Sequence, residues 1–85
     1  MANLTPETVL AELQPIFEEA LDLPGLTVTR SSSAANTPNW DSLAYIDLIE
    51  ISERRFNVKF SLSELQHLKE AGDLVDLIVQ KANRE

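Results

Sequence analysis

The chain has 85 residues, 44% of them hydrophobic, with no cysteine and with fourteen acidic residues against seven basic ones, a net charge of −7. These values fit one small domain over residues 1–85 with one compact core and exclude disulfide and thiolate chemistry. They also argue against nucleic acid, where Lys and Arg must neutralise phosphate, and against an anionic membrane surface.

The acidity has a bland reading, solubility, and a sharper one, attraction to proteins with basic patches. No apolar run of signal-peptide type opens the chain, and no stretch is long enough to span a bilayer. A cytoplasmic monomer without stable membrane insertion is therefore expected.

The first helix starts at Thr5-Pro6-Glu7, with Thr5 as cap, Pro6 at the first helical position and Glu7 near the positive dipole end. Val9, Leu10, Leu13, Ile16, Phe17, Ala20 and Leu21 then recur at helical spacing. Pro15 falls inside this pattern and predicts a bend or an irregular first part. Leu23-Pro24-Gly25 stops the helix. Residues 26–39 show no sustained period. They form a long loop of Ser, Thr, Asn and Pro in which Leu26 and Val28 are isolated anchors.

A second helix is expected over residues 41–55. Tyr45, Leu48, Ile49, Ser52 and Phe56 form its inward stripe, which Ser52 interrupts with a hydroxyl. Leu43, Ile46 and Ile51 flank the stripe, and Asp47, Glu50, Glu53 and Arg54 fall largely on the other face. Asn57 suits a left-handed stop. Val58-Lys59-Phe60 reads as a short extended link, too isolated for a sheet. Ser61 or Ser63 caps a short third helix over residues 63–68, with Leu65 and Leu68 inward. Gly72 interrupts, and a fourth helix begins at Asp73 with Leu74, Val75, Leu77, Ile78 and Ala82 inward and Lys81 and Arg84 near its end. The fold class is all-α: a small four-helix bundle of three longer helices and one short third helix, with a long loop between helices 1 and 2.

Few constellations are left for chemistry. One histidine, His67, and no cysteine nearly exclude zinc. The acids are not spaced as a calcium loop, and two glycines do not make a phosphate loop. A triad pairing Ser42 with His67 would need a shielded pocket that so small a bundle hardly builds, so an enzyme is not expected. In Trp40-Asp41-Ser42-Leu43, Asp41 or Ser42 is by ordinary expectation a helix cap. Yet a hydroxyl at a helix N-terminus is also well placed to bear an anionic modification, since free N–H groups and the dipole stabilise phosphate there. Trp40 is a large anchor that fixes the helix start, and Leu43 and Ile46 can lie beside an attached group.

At Asp41-Ser42-Leu43 the chain resembles the acyl carrier proteins, the phosphopantetheine-binding carriers of fatty acid, polyketide and peptide synthesis. The tripeptide is a weak signal alone. Its context strengthens it: a first helix from residue 5, a long loop, Phe56 ending the second stripe, Val58-Lys59-Phe60-Ser61 leading to a short helix, and Gly72-Asp73-Leu74-Val75 opening the last. The resemblance implies that Ser42 bears 4'-phosphopantetheine, installed from coenzyme A by a phosphopantetheinyl transferase, with Asp41 assisting recognition and metal-dependent transfer and Leu43 beside the arm. It implies acyl cargo carried as a thioester between acyl-loading and acyl-processing enzymes with basic patches. It also implies a partner face on the second helix made of Ile46, Asp47, Glu50, Glu53 and Arg54.

Several positions depart from the family pattern. Ala44 stands where fatty-acid carriers commonly have an acid. Arg54 and Arg55 bring positive charge, Trp40 replaces a small or acidic residue, and the usual threonine cap is replaced around Glu70-Ala71. These departures suit a specialised free-standing carrier. An aminoacyl or peptidyl carrier, or an unmodified helical interaction module, are the alternatives.

Overall fold

The structure is a computed structural model that describes residues 4–83. Arg84, expected near the end of the last helix, lies outside the described residues. Four helices follow one another, α1 over Pro6–Leu21, α2 over Ser42–Phe56, α3 over Leu62–Gln66 and α4 over Ala71–Ala82. No strand occurs among the described residues, and the all-α expectation holds.

Thr5 caps α1, its hydroxyl accepting the Thr8 N–H at 3.2 Å. Val9, Leu13, Ile16, Phe17 and Leu21 form the buried face. Pro15 does not end or divide the helix. It is exposed, and the carbonyl it leaves without a helical donor belongs to Ala11, an exposed residue, so that the missing bond is not a buried one. Asp22 closes the helix in the left-handed conformation, with the Leu23 N–H returning to the Glu18 carbonyl at 3.0 Å.

The long loop is more tightly held than its composition suggests. Val28 is buried, as expected of an anchor. The Gln14 side chain also pairs with its backbone: Gln14 Oε1 accepts the Val28 N–H and Gln14 Nε2 donates to the Val28 carbonyl, each at 2.8 Å. Further on, the loop docks on the start of α4. The Ala71 N–H donates to Ser32 O and the Gly72 N–H to Arg30 O, both at 2.8 Å. An isolated antiparallel bridge joins Ser33 and Glu70.

This docking corrects the reading of Gly72 as an interruption. α4 begins at Ala71, not Asp73, and Gly72 lies inside it. A Cβ on Gly72 would come within 2.9 Å of the Arg30 carbonyl oxygen, so glycine is required for close approach and not for helix breaking. Asp73 instead finishes the cap, Oδ2 accepting the Lys69 and Glu70 N–H groups at 3.0 and 3.1 Å. Those two bonds hold its carboxyl below the usual range. Leu74, Val75 and Ile78 are buried as expected. Leu77 is only half-buried, and Val79 packs against the core in its stead.

The third helix also begins earlier than expected, at Leu62. A reciprocal cap decides this: Ser61 Oγ accepts the Glu64 N–H at 3.1 Å and Glu64 Oε1 accepts the Ser61 N–H at 2.8 Å. α1 packs on both α2 and α4, so the core centres on Leu13, Phe17, Leu48, Val75 and Ile78. On α2, Leu48, Ile49 and Ser52 are buried, with Ala44 joining them, while Tyr45 and Phe56 are half-buried. Asn57 ends α2 with φ 56°, in the left-handed conformation that its position suggests.

Candidate functional site at the start of helix 2

The N-terminus of α2 is fixed by the three residues before it. Asn39 adopts φ 65°, a left-handed conformation that Asn tolerates better than most residues. Its Nδ2 donates to the carbonyl of Leu21, the last residue of α1, at 2.9 Å. Trp40 packs edge-on against Phe17 of α1, ring centroids 5.3 Å apart, which is the anchoring expected of it. Asp41 is then the cap: Oδ1 accepts the Ala44 N–H at 2.9 Å and its carbonyl accepts the Tyr45 N–H at 2.9 Å.

That geometry separates the two roles the sequence left open. Capping belongs to Asp41, and Ser42 is the first residue of the helix, exposed, with a hydroxyl the cap does not use. The N–H groups of Ser42 and Leu43 precede the first intrahelical bond, so they point to solvent beside that hydroxyl. Positive dipole and free donors converge where a phosphate ester on Ser42 Oγ would sit, worth about 0.3–1 kcal/mol to such an anion.

His67 is no base for this serine. It is exposed at the end of α3, Nδ1–H donates to the Ser63 carbonyl at 2.8 Å, and it lines a separate depression between α3 and α4. No cluster of potential metal ligands exists among the described residues, and no helix is long and apolar enough to cross a membrane.

Residues 43, 46, 47, 50 and 54 follow helical spacing down one side of α2, and all five are exposed. Leu43 is 76% and Ile46 53% exposed, and Leu62 at the start of α3 is 73% exposed. The face is thus apolar near Ser42, acidic at Asp47 and Glu50, and positive at Arg54. Glu53 stands apart from it. Glu53 is half-buried and its Oε2 accepts the Phe60 N–H at 3.0 Å, fixing the link to α3. Arg55 turns the other way to pair with Glu12 of α1 at 2.8 Å.

Two clefts open along α2 towards α3. The first, about 340 Å³, lies at Ser42 and includes Trp40, Tyr45, Leu65, Leu68 and Lys69. The second, about 380 Å³ and almost purely apolar, lies further along, between Tyr45, Ile46 and Ile49 of α2 and Leu62 and Leu65 of α3. Between them the Tyr45 hydroxyl donates to the Leu65 carbonyl at 2.9 Å. Sequence reasoning placed Tyr45 on the inward stripe but missed this bond, since the acceptor is a backbone atom twenty residues away. Burial pushes the Tyr45 phenol above its ordinary value, which keeps it a neutral donor.

No protein-family model matches the chain. It is 33% identical over 72 residues to an acyl carrier protein of Coprothermobacter proteolyticus, covering 85% of this chain and 88% of that one. It is 31% identical over 75 residues to an acyl carrier protein of Acidothermus cellulolyticus, covering 88% and 89% respectively. The fold matches a solution NMR structure of holo acyl carrier protein from Geobacter metallireducens with a TM-score of 0.83 and 42% identity, over 89% of this chain and 87% of that one. Fold and sequence likeness agree, and the chain belongs to the acyl carrier protein family.

Proposed function

We propose that the protein carries acyl groups as thioesters on a 4'-phosphopantetheine arm attached to Ser42, moving them between enzymes of fatty acid, polyketide or related biosynthesis in the cytoplasm. The observation that carries this reading is the division of labour at the start of α2, where Asp41 caps the helix and leaves the Ser42 hydroxyl exposed and unused. The donor set fits the group: a free hydroxyl for the ester, two unpaired N–H groups and the helix dipole for its phosphate, and a cleft beside it with room for an arm. Once attached, the arm supplies the thiol that holds the acyl group, which this cysteine-free chain does not have.

The chain's own residues do the remaining work by positioning. Asn39, Trp40 and Asp41 hold Ser42 Oγ at a fixed point on the surface. His67 lines a separate depression, and the proton of Ser42 Oγ is left to a base on the phosphopantetheinyl transferase. Leu43, Ile46, Asp47, Glu50 and Arg54 form the face offered to that enzyme and to acyl-loading and acyl-processing enzymes, while Glu53 holds the link to α3. Exposed ion pairs of this kind contribute about 0–1 kcal/mol each, which suits short-lived complexes controlled by dissociation.

Incubation with coenzyme A and a broad-range phosphopantetheinyl transferase, followed by mass spectrometry, tests the reading. The wild-type chain gains the mass of one phosphopantetheine and Ser42→Ala gains none. A wild-type chain that stays unmodified with several transferases overturns it.

A further inference from the structure

Tyr45 and Leu65 belong to both clefts beside α2. They therefore form the wall between the cleft that opens at Ser42 and the apolar one further along the helix, and the Tyr45 hydroxyl closes that wall on the Leu65 carbonyl at 2.9 Å. The two clefts differ in chemistry. The Ser42 cleft has mixed walls, with Trp40 and Tyr45 beside the charged residues Asp41 and Lys69. The further cleft is lined almost wholly by hydrocarbon.

The geometry points to Tyr45 as the residue that sets which acyl cargo the bundle shelters, an inference that rests on the carrier reading above. The arm attached at Ser42 enters the near cleft first, and the cargo at its end follows. To reach the apolar cleft it must pass Tyr45, and that means breaking a hydrogen bond and leaving the Leu65 carbonyl, near the end of α3, with the Leu68 N–H as its remaining donor. With the wall closed, a saturated tail at the end of the arm stays at the mouth of the mixed cleft, where part of it remains in contact with water. Cargo with a polar group near the thioester suits that cleft better, because the charged residues Asp41 and Lys69 border it. The carrier thus favours short or polar acyl groups over long saturated ones, and one side chain holds that preference.

The position in the fold supports a gate over a simple packing role. Tyr45 is half-buried, not part of the fully buried core, and no buried residue of α1 or α4 depends on its hydroxyl. Its partner helix α3 is the short element of five residues, none of them buried. A short helix held by few buried groups moves more easily than α1, α2 or α4.

The test loads octanoyl-phosphopantetheine onto Ser42 from octanoyl-coenzyme A with a broad-range transferase, in the wild type, Tyr45→Phe and Tyr45→Ala. Mass spectrometry confirms loading, and amide chemical shifts are compared with those of the unacylated holo form. In the wild type, octanoyl perturbs Trp40, Leu68 and Lys69 and leaves Ile46 and Leu62 within the scatter of the holo form. In Tyr45→Ala the perturbation moves to Ile46 and Leu62, and Tyr45→Phe, which keeps the ring and loses only the hydroxyl, shows an intermediate pattern. If Ile46 and Leu62 shift as strongly in the wild type as in Tyr45→Ala, or in neither of the two, Tyr45 is not the gate. If Tyr45→Ala does not fold, the Tyr45→Phe comparison decides alone: a pattern identical to the wild type overturns the inference. Failure to gain any mass at Ser42 is a different result, which removes the carrier reading itself.

Discussion

Ser52 shows what one atom costs in a bundle this small. It sits in the inward stripe of α2, its residue is wholly buried, and its hydroxyl has no hydrogen-bond partner among the described residues. The helical period marks the position as a polar interruption, and the structure shows that nothing repairs it. An unsatisfied buried hydroxyl costs about 1–3 kcal/mol, a large part of the stability of a small domain. Ser52→Ala removes the orphan group with little change of volume and places a better helix former in α2. We expect a gain of about 1 kcal/mol in urea denaturation at unchanged m value. A clear loss would show that the hydroxyl is bonded within the core, to a carbonyl of its own helix or to a trapped water. Asp41 and Ser42 make the complementary point. Both types are cap formers, so the sequence pattern could not divide the tasks between them; the division depends on Asn39 φ and on which oxygen reaches the Ala44 N–H.

The elements most legible in sequence were the long amphipathic ones. α1, α2 and α4 all lie where periodicity puts them, because one face of each must be buried and the 3.6-residue period records that need. The short elements were less so. α3 is too short to show a period, and its start follows from the Ser61–Glu64 exchange, while two serines were available as caps. Gly72 was misread for a related reason: glycine in sequence looks like a break, whereas its function here is to let the first loop touch α4. Gly72→Ala separates the two readings. An interrupting glycine gives about 1 kcal/mol in favour of alanine on helix propensity alone. A close-approach glycine loses more than that, because the new Cβ meets the Arg30 carbonyl at 2.9 Å and the Arg30 side chain at 3.2 Å. Relief would require the loop to withdraw from the Ala71 and Gly72 N–H groups. We expect a net loss of about 1–3 kcal/mol by urea denaturation, with faster amide exchange at positions 71 and 72; a gain in stability would return Gly72 to the role of a helix breaker.

At the scale of the whole molecule, the net charge of −7 works against compactness while particular carboxylates work for it. Asp73 and Glu64 are the clearest of the latter. Asp73 is held low first by the Lys69 and Glu70 N–H groups. Glu64 is held low first by the Ser61 N–H and then by Lys81, which it meets at 3.1 Å. Both therefore bind protons less readily folded than unfolded, so their contribution is present above the ordinary carboxylate range and is lost as pH falls through their lowered folded values. The exposed acids behave differently. They make no capping bond of this kind, and their charge adds to the self-repulsion of the chain. The contribution of these two caps is accordingly expected to hold from neutral pH down to about 5 and to be lost at lower pH as α3 and α4 lose them. Asp73→Asn isolates the effect, since the amide cannot supply the same charged acceptor to two N–H groups. Urea midpoints measured across the pH range should show the variant below the wild type at neutral pH, with the two curves converging in acid. A gap that stays constant to the lowest pH at which both chains fold would mean that the Asp73 charge does not stabilise the cap, and that the substitution acts through packing alone.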